Sequence, residues 1–239
     1  MTDWAPKRFW TDATVAKPED AAGFEVLLDG RRVRTPLKRR LILPTEPMAQ
    51  AVAQEWAAQT DKVDPRSMPV TRSANAAIDK VSDQHAEVAD LVADYGDADL
   101  LCYRAEGPDA LVHRQAQAWD PMLDWARDQL GVSLRPKTGI MHRPQPVDQI
   151  TRLRKMVHAL EPFRLTAMHD LVAMSGSLVL GFAAAQKAFA VDDLWRISRI
   201  DEDWQAEQWG QDDEAGQQAD MKRDAFLHAR RFYALSETP

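Results

Sequence analysis

Between Ile200 and Ala215 the chain carries seven carboxylates (Asp201, Glu202, Asp203, Glu207, Asp212, Asp213 and Glu214) and two tryptophans, Trp204 and Trp209. No Lys, Arg or His lies within that stretch. Like charges at helical spacing repel, and an indole is costly to expose, so the combination is a poor choice for stability alone. Three chemistries could use it: a hard cation, a basic substrate, or the surface of another protein. Asp203 and Glu207 stand four apart, the spacing of two ligands on one helix face. A di-metal carboxylate bundle needs Glu-x-x-His pairs, however, and the chain has none. The alternating Asp/Asn pattern with a central Gly of a calcium loop is also missing. A carboxylate-based metal-dependent enzyme using residues 201–214 therefore stands as the alternative reading.

A solvated helix face is the ordinary reading of a charge run, and two features count against it here. The tryptophans are interleaved with the charges, and Gly210 breaks the helix beside them. Leu194, Ile197, Ile200 and Trp204 are spaced to form the buried stripe of one helix, Asp192–Gln208. That leaves Asp201, Glu202 and Trp209 facing outward, while Asp212, Asp213 and Glu214 open the last helix, where carboxylates favour the dipole. A rigid indole flanked by oriented carboxylates suits a protein-binding hot spot. The expected partner-binding residues are Asp201, Glu202, Trp204, Trp209, Asp212 and Glu214.

Other signatures of chemistry are missing. Neither glycine-rich phosphate loop occurs. Met174-Ser175-Gly176-Ser177-Leu178 lacks the glycines and the preceding strand of a nucleophile elbow, and helix packing explains its small residues. The six histidines (His85, His113, His142, His158, His169, His228) never fall three or four apart, so no two converge on one metal from a single helix. Cys102, the single cysteine, sits after Leu100-Leu101 and reads as a buried, inert thiol. No catalytic residue, cofactor site or metal site is expected.

The 239 residues supply ample core for one large domain or two modest ones. A net charge of −7 argues against a nucleic-acid protein. Arg31, Arg32, Arg34, Lys38, Arg39 and Arg40 form a local exception, read as a solvated hairpin rim or, more sharply, as a patch for an acidic partner. Met1–Trp10 has neither an apolar signal core nor an Arg-rich presequence, which predicts a cytoplasmic protein.

Strand character fills the first third. Phe24–Leu28 runs through Asp29-Gly30 into Arg31–Thr35, a two-residue hairpin signal, and Arg8–Val15 and Arg40–Leu43 are further strand candidates. Thr45 caps a helix from Glu46 to about Gln59. From Thr71 the period turns helical, with Ala74, Ile78, Val81, His85, Val88, Val92 and Tyr95 forming one stripe. Further helices are predicted at Pro108–Leu130, kinked or split at Pro121, and at Pro146–Leu160, Pro162–Lys187, Asp192–Gln208 and Asp212–Leu235. Leu171–Ala185 is apolar all round and reads as the central helix of a soluble bundle, with Ser175, Gly176, Ser177 and Gly181 allowing close approach. Val132–Pro146 is the one long irregular segment. The fold class is α+β: a small N-terminal domain (1–78) of short antiparallel strands and a helix, then a larger all-α domain (79–239).

An ordered set of motifs then resembles one family from Arg8-Phe9-Trp10 almost to the C-terminus. It includes Leu28-Asp29-Gly30-Arg31 with Thr35-Pro36, Glu55-Trp56, Met68-Pro69 with Thr71-Arg72, and Ala77-Ile78-Asp79. Asp99–Ala105, Trp119-Asp120-Pro121, Thr138-Gly139-Ile140 and Ser175–Leu178 follow. Asp201–Gln205, Trp209-Gly210, Asp212 and Glu214-Ala215 complete it. The chain resembles the ATP synthase assembly-factor two family, chaperones of the α subunit of the F-type ATPase head. The resemblance implies a non-enzymatic chaperone that covers the free α subunit until its β partner arrives. It also implies the two-part fold read above, a bacterial member, and a functional carboxylate at Glu214. No small-molecule substrate, nucleic acid or membrane insertion is expected.

Overall fold

The computed structural model describes residues 7–210 and 212–237. In chain order the elements are β1 (Ala13–Ala16), β2 (Glu25–Leu28), β3 (Arg31–Arg32), α1 (Glu46–Ala57), α2 (Pro69–Ala76), α3 (His85–Asp94), β4 (Tyr103–Arg104) and α4 (Asp109–Trp125). There follow β5 (Lys137–Thr138), α5 (Val147–His158), α6 (Pro162–Ser175), α7 (Leu178–Ala185), α8 (Val191–Ser198), α9 (Ile200–Trp209) and α10 (Asp213–Leu235). This is the expected α+β class, a small strand region with a helical bulk.

The chain forms two compact units. The first comprises residues up to His85 with Glu161–Ala167 and the residues from Arg231 on; the second comprises Ala86–Leu160 and Met168–Arg230.

In the first unit β1, β2 and β3 make an antiparallel meander with Ala13 opposite Leu28 and Leu28 opposite Arg31. Asp29 and Gly30 both take positive φ, +46° and +80°, which is the backbone that a two-residue turn between twisted strands demands. The Asp29 carboxylate also accepts the Thr11 and Asp12 amides, and those donors lower its pKa. The first strand is shorter and later than the predicted Arg8–Val15: Arg8 is held irregularly, its guanidinium donating to the carbonyls of Trp10 and Gln59. Arg40–Leu43 makes only isolated bridges, Arg34 with Arg40 and Phe24 with Leu43. The Thr45 hydroxyl caps α1 by accepting from Met48 N, and Met48, Ala49 and Val52 bury the face that packs on β1 and β2. Glu55 caps α2 from a distance, accepting the amides of Val70 and Thr71 at 2.7 and 2.8 Å.

Much of the basic patch is neutralised inside this unit. Arg32 pairs with Glu25, Arg39 with Asp83, and Arg40 with Asp20, while Arg34 donates to the Lys38 carbonyl. Three of the six cations of the hairpin rim are thus paired within the unit. The expected single stripe from Ala74 to Tyr95 is broken as well. A π-helical turn at Ala77–Val81 inserts a residue and shifts the inward face, so Ala74, Ala77 and Val81 are buried while Ile78 is half-buried.

The second unit is helical apart from the parallel pair β4–β5, Tyr103 beside Lys137, which gives order to part of the segment expected to be irregular. All eight residues of α7 are buried, as its all-round apolarity predicts. The predicted helix Pro162–Lys187 is two helices. Gly176 adopts φ +72° and stops α6, and Ser177 caps α7 by accepting from Leu180 N. Gly181 does permit close approach: a Cβ there would sit 2.8 Å from Val172 Cγ2. Pro121 does not split α4, which runs through it into a π-helical turn at Ala126–Leu130. Asp192–Gln208 is likewise two helices, parted at Arg199.

Asp99 joins the Leu100–Cys102 turn to the start of α7. It is fully buried, accepting Leu101 N at 3.1 Å through one oxygen and Val179 N at 3.0 Å through the other. Burial pushes its carboxyl up to about 6, against the amide and hydroxyl donors that favour its charge. The folded state therefore holds this proton longer than the unfolded chain, whose value is near ~3.9. Its contribution is full below about pH 4 and falls by about 2–3 kcal/mol as pH rises to about 6. Urea unfolding at pH 4 to 7 should show that Asp99→Asn removes this component of the pH dependence. It should also lower stability throughout, because the amide NH₂ would face a backbone N–H. An unchanged slope would refute the assignment.

Candidate functional site

A groove of about 710 Å³ opens within the second unit. One wall is α9, whose Asp201, Trp204, Gln205 and Gln208 recur at the three- and four-residue spacing of a single helix face. The floor is the extended segment from Tyr103 to Pro108 with Leu111 and Gln115 of α4, and the far rim is Gly139 and Ile140, just past β5. Trp209 and Ile140 stand at the mouth with 80% and 91% of their surface exposed, unusual for side chains of this size.

Each wall is held by a side-chain bond. Gln115 is almost fully buried; its Nε2 donates to Asp201 Oδ1 at 2.6 Å and its Oε1 accepts Ala105 N at 2.8 Å. One amide thereby fixes both α9 and the floor. Arg114 donates to both oxygens of Glu207, at 2.8 and 2.9 Å, and lies 4.9 Å above the Trp204 ring. The buried Trp119 donates its indole N–H to Ile197 O at 2.9 Å, tying α4 to α8. Arg104 stacks on the Trp119 ring and forms an ion pair of 2.7 Å with Asp120. At the rim Gly139, at φ +84°, leaves room for Glu106: a Cβ there would meet Glu106 Oε1 at 2.8 Å.

The six sequence-predicted residues divide. Asp201, Trp204 and Trp209 line the groove, whereas Glu202, Asp212 and Glu214 do not. Glu202 is exposed and accepts from Arg199 at 2.7 Å. Asp212 accepts the Glu214 amide at 3.3 Å, and Glu214 is exposed in the first turn of α10. Asp201 and Trp204 are half-buried rather than outward-facing and fully buried, respectively. The predicted buried stripe holds at Leu194 and Ile200, while Ile197 is half-buried. Partial desolvation, with the Glu207 charge adding to it, raises the Asp203 carboxyl against the attraction of Arg199. Arg114 holds the Glu207 carboxyl below its ordinary range.

Sequence reasoning missed Glu106, Leu111 and Gln115. Gly107-Pro108 was the available signal, a dipeptide that marks a turn ahead of α4. Among the described residues no group of three or more His, Cys, Asp or Glu side chains converges as a metal site would. Cys102 is buried, and burial pushes its thiol up to about 12. Among the described residues no helix is long and apolar enough to cross a membrane.

A family model described as ATP12 chaperone protein matches residues 7–127. Among solved structures, Atp12 from Paracoccus denitrificans is 46% identical, with a TM-score of 0.94 over 97% of this chain and 98% of that one. A mutant of the same P. denitrificans protein gives the same values. A candidate chaperone from Agrobacterium tumefaciens is 38% identical, with a TM-score of 0.92 over 97% of this chain and 87% of that one. The family model and these structural matches support the role of an assembly chaperone. The chain belongs to the ATP12 chaperone family.

Gln115 sets the geometry of this groove, so its loss should be felt in stability. Gln115→Ala leaves the Ala105 amide and Asp201 without their partner and should cost about 1–3 kcal/mol in urea unfolding. Gln115→Glu should cost more, since it sets a second carboxylate against Asp201. Neutral behaviour of both variants would show that the floor and α9 are positioned by other contacts.

Proposed function

We propose that the protein binds the free α subunit of the F-type ATP synthase head and shields its β-facing surface until the β subunit takes its place. The observation that carries the reading is the groove of the second unit, rimmed by the exposed Trp209 and Ile140 beside carboxylate-bearing walls, in a chain of the ATP12 chaperone family. A client whose partner surface is uncovered presents apolar groups that aggregate. A chaperone for it needs a few exposed anchors and must avoid a binding area so large that release fails.

In this reading Asp201, Trp204 and Trp209 make contact inside the groove. Glu202, Asp212 and Glu214 lie outside it and contribute a negative field that speeds encounter and weakens with salt. The chaperone performs no covalent step, takes no cofactor, and works in the cytoplasm on unassembled subunits. The metal-enzyme alternative gains no support from the positions of the carboxylates, because Glu202 and Glu207 are committed to Arg199 and Arg114.

Immobilised protein should retain purified free α subunit and should not retain α already joined to β. Trp209→Ala should weaken retention at least tenfold with the unfolding midpoint unchanged, since that ring is exposed. Alanine at both Glu202 and Glu214 should slow association and flatten its salt dependence. Failure of the wild-type protein to retain free α would overturn the proposal.

A further inference from the structure

The groove has apolar rims and two carboxylates along its lining, and that pairing selects a particular kind of side chain. Asp201 on α9 and Glu106 on the floor bring carboxylates into it. Asp201 receives one hydrogen bond, from Gln115, and the Glu106 side chain is engaged by no cation among the described residues. The groove's own arginine faces an acid outside the lining: Arg104 is ion-paired with Asp120 and stacked on Trp119. Negative charge is therefore left over inside a recess whose walls also present the indoles of Trp204 and Trp209.

We infer that this groove docks a protein segment bearing one arginine among apolar residues. The guanidinium enters between Glu106 and Asp201, and the flanking apolar side chains cover Trp209 and Ile140. The choice of arginine over lysine follows from the lining. A planar guanidinium can stack on an indole while its several N–H groups reach two carboxylates at once, whereas an ammonium offers a compact, strongly hydrated charge. The protein already makes the same pairing internally, where Arg114 lies on Trp204 and bonds to Glu207. The apolar flanks are required because an exposed ion pair contributes little until water is excluded around it. The inference rests on the groove being the client-binding site and names the feature of the client that it reads.

Two arms test it. In the first, capped five-residue peptides with a central arginine flanked by leucine and valine are titrated against the protein, with tryptophan fluorescence as the readout. The twin peptide carries citrulline, which keeps the shape and removes the charge. The arginine peptide should bind at least tenfold more tightly than its twin, and Glu106→Gln combined with Asp201→Asn should abolish the difference. Equal binding of the twins, or no binding of either, would overturn the inference. In the second arm, free α subunit is bound to Glu106→Lys, whose unfolding midpoint serves as the folding control. Retention should fall at least tenfold, and unchanged retention would count against the inference. If the wild-type protein ignores α while the peptides still discriminate, the client assignment fails and the arginine-reading groove survives.

Discussion

The groove depends on a carboxylate that never touches it. Asp99 is buried with no cation beside it among the described residues and satisfied by amides from two separate stretches, Leu101 on one side and Val179 on the other. Leu100 N also donates to Gly176 O at 3.0 Å, closing the same junction from the backbone. The Leu100–Cys102 turn leads directly into β4 and then into the extended floor from Tyr103 to Pro108. The exit direction of that floor is thus fixed where α6 gives way to α7. A buried polar group with every partner supplied specifies one arrangement, because any alternative strands a desolvated charge. The break at Gly176-Ser177 is what presents the Val179 and Leu180 amides for capping, so a discontinuity in the apolar helix becomes an anchor.

Charge is distributed by the same logic. As a sequence, the stretch from Asp201 to Glu214 holds only anions. In the fold it is partly neutralised by Arg114 from α4 and by Arg199, which ends α8. These two cations answer Glu207 and Glu202. The Arg114–Glu207 pair holds α9 against α4, the Arg199–Glu202 pair is local to the start of α9, and among the described residues Asp201 lines the groove with only a neutral amide as its partner. A neutral donor positions a carboxylate without cancelling its charge, which is the condition for a site that still attracts a cation from outside.

The parts legible in the sequence are those governed by local rules. The Asp29-Gly30 turn, the Thr45 cap on α1 and the exposed indole of Trp209 follow from turn chemistry, capping and periodicity. The misses are of a different kind. Helix periodicity does not register a π-helical turn, so the stripe past Ala77 drifts off its predicted face. The apolar run from Leu171 to Ala185 masks the stop at Gly176, because a helix buried on all sides has no polar face to mark its end. Ten of the fifteen residues lining the groove lie far from α9 in sequence. Gln115 meets Asp201 only through long-range packing, and the Gly107-Pro108 turn signal beside Glu106 gives no hint of that partnership.

The size of the apolar rim bears on what an assembly chaperone must do. A stable complex usually buries about 1,200–2,000 Å² around a central cluster of anchors. Here the exposed anchors are few, and Trp209 sits at the last position of α9, beside a glycine whose φ of +91° ends the helix. An indole on a helix terminus covers a patch of client without committing a whole helix face to it. On the proposed reading, binding rests on one or two apolar contacts and the groove carboxylates, while the carboxylates outside the groove act mainly on the rate of encounter. Such a complex forms quickly, excludes water from a small area and separates readily, since residence time follows the short-range contacts more than the field. A larger apolar surface would hold the client more tightly and would also compete with the partner for which the client is being kept. On the proposed reading, the limited rim makes transient protection compatible with release.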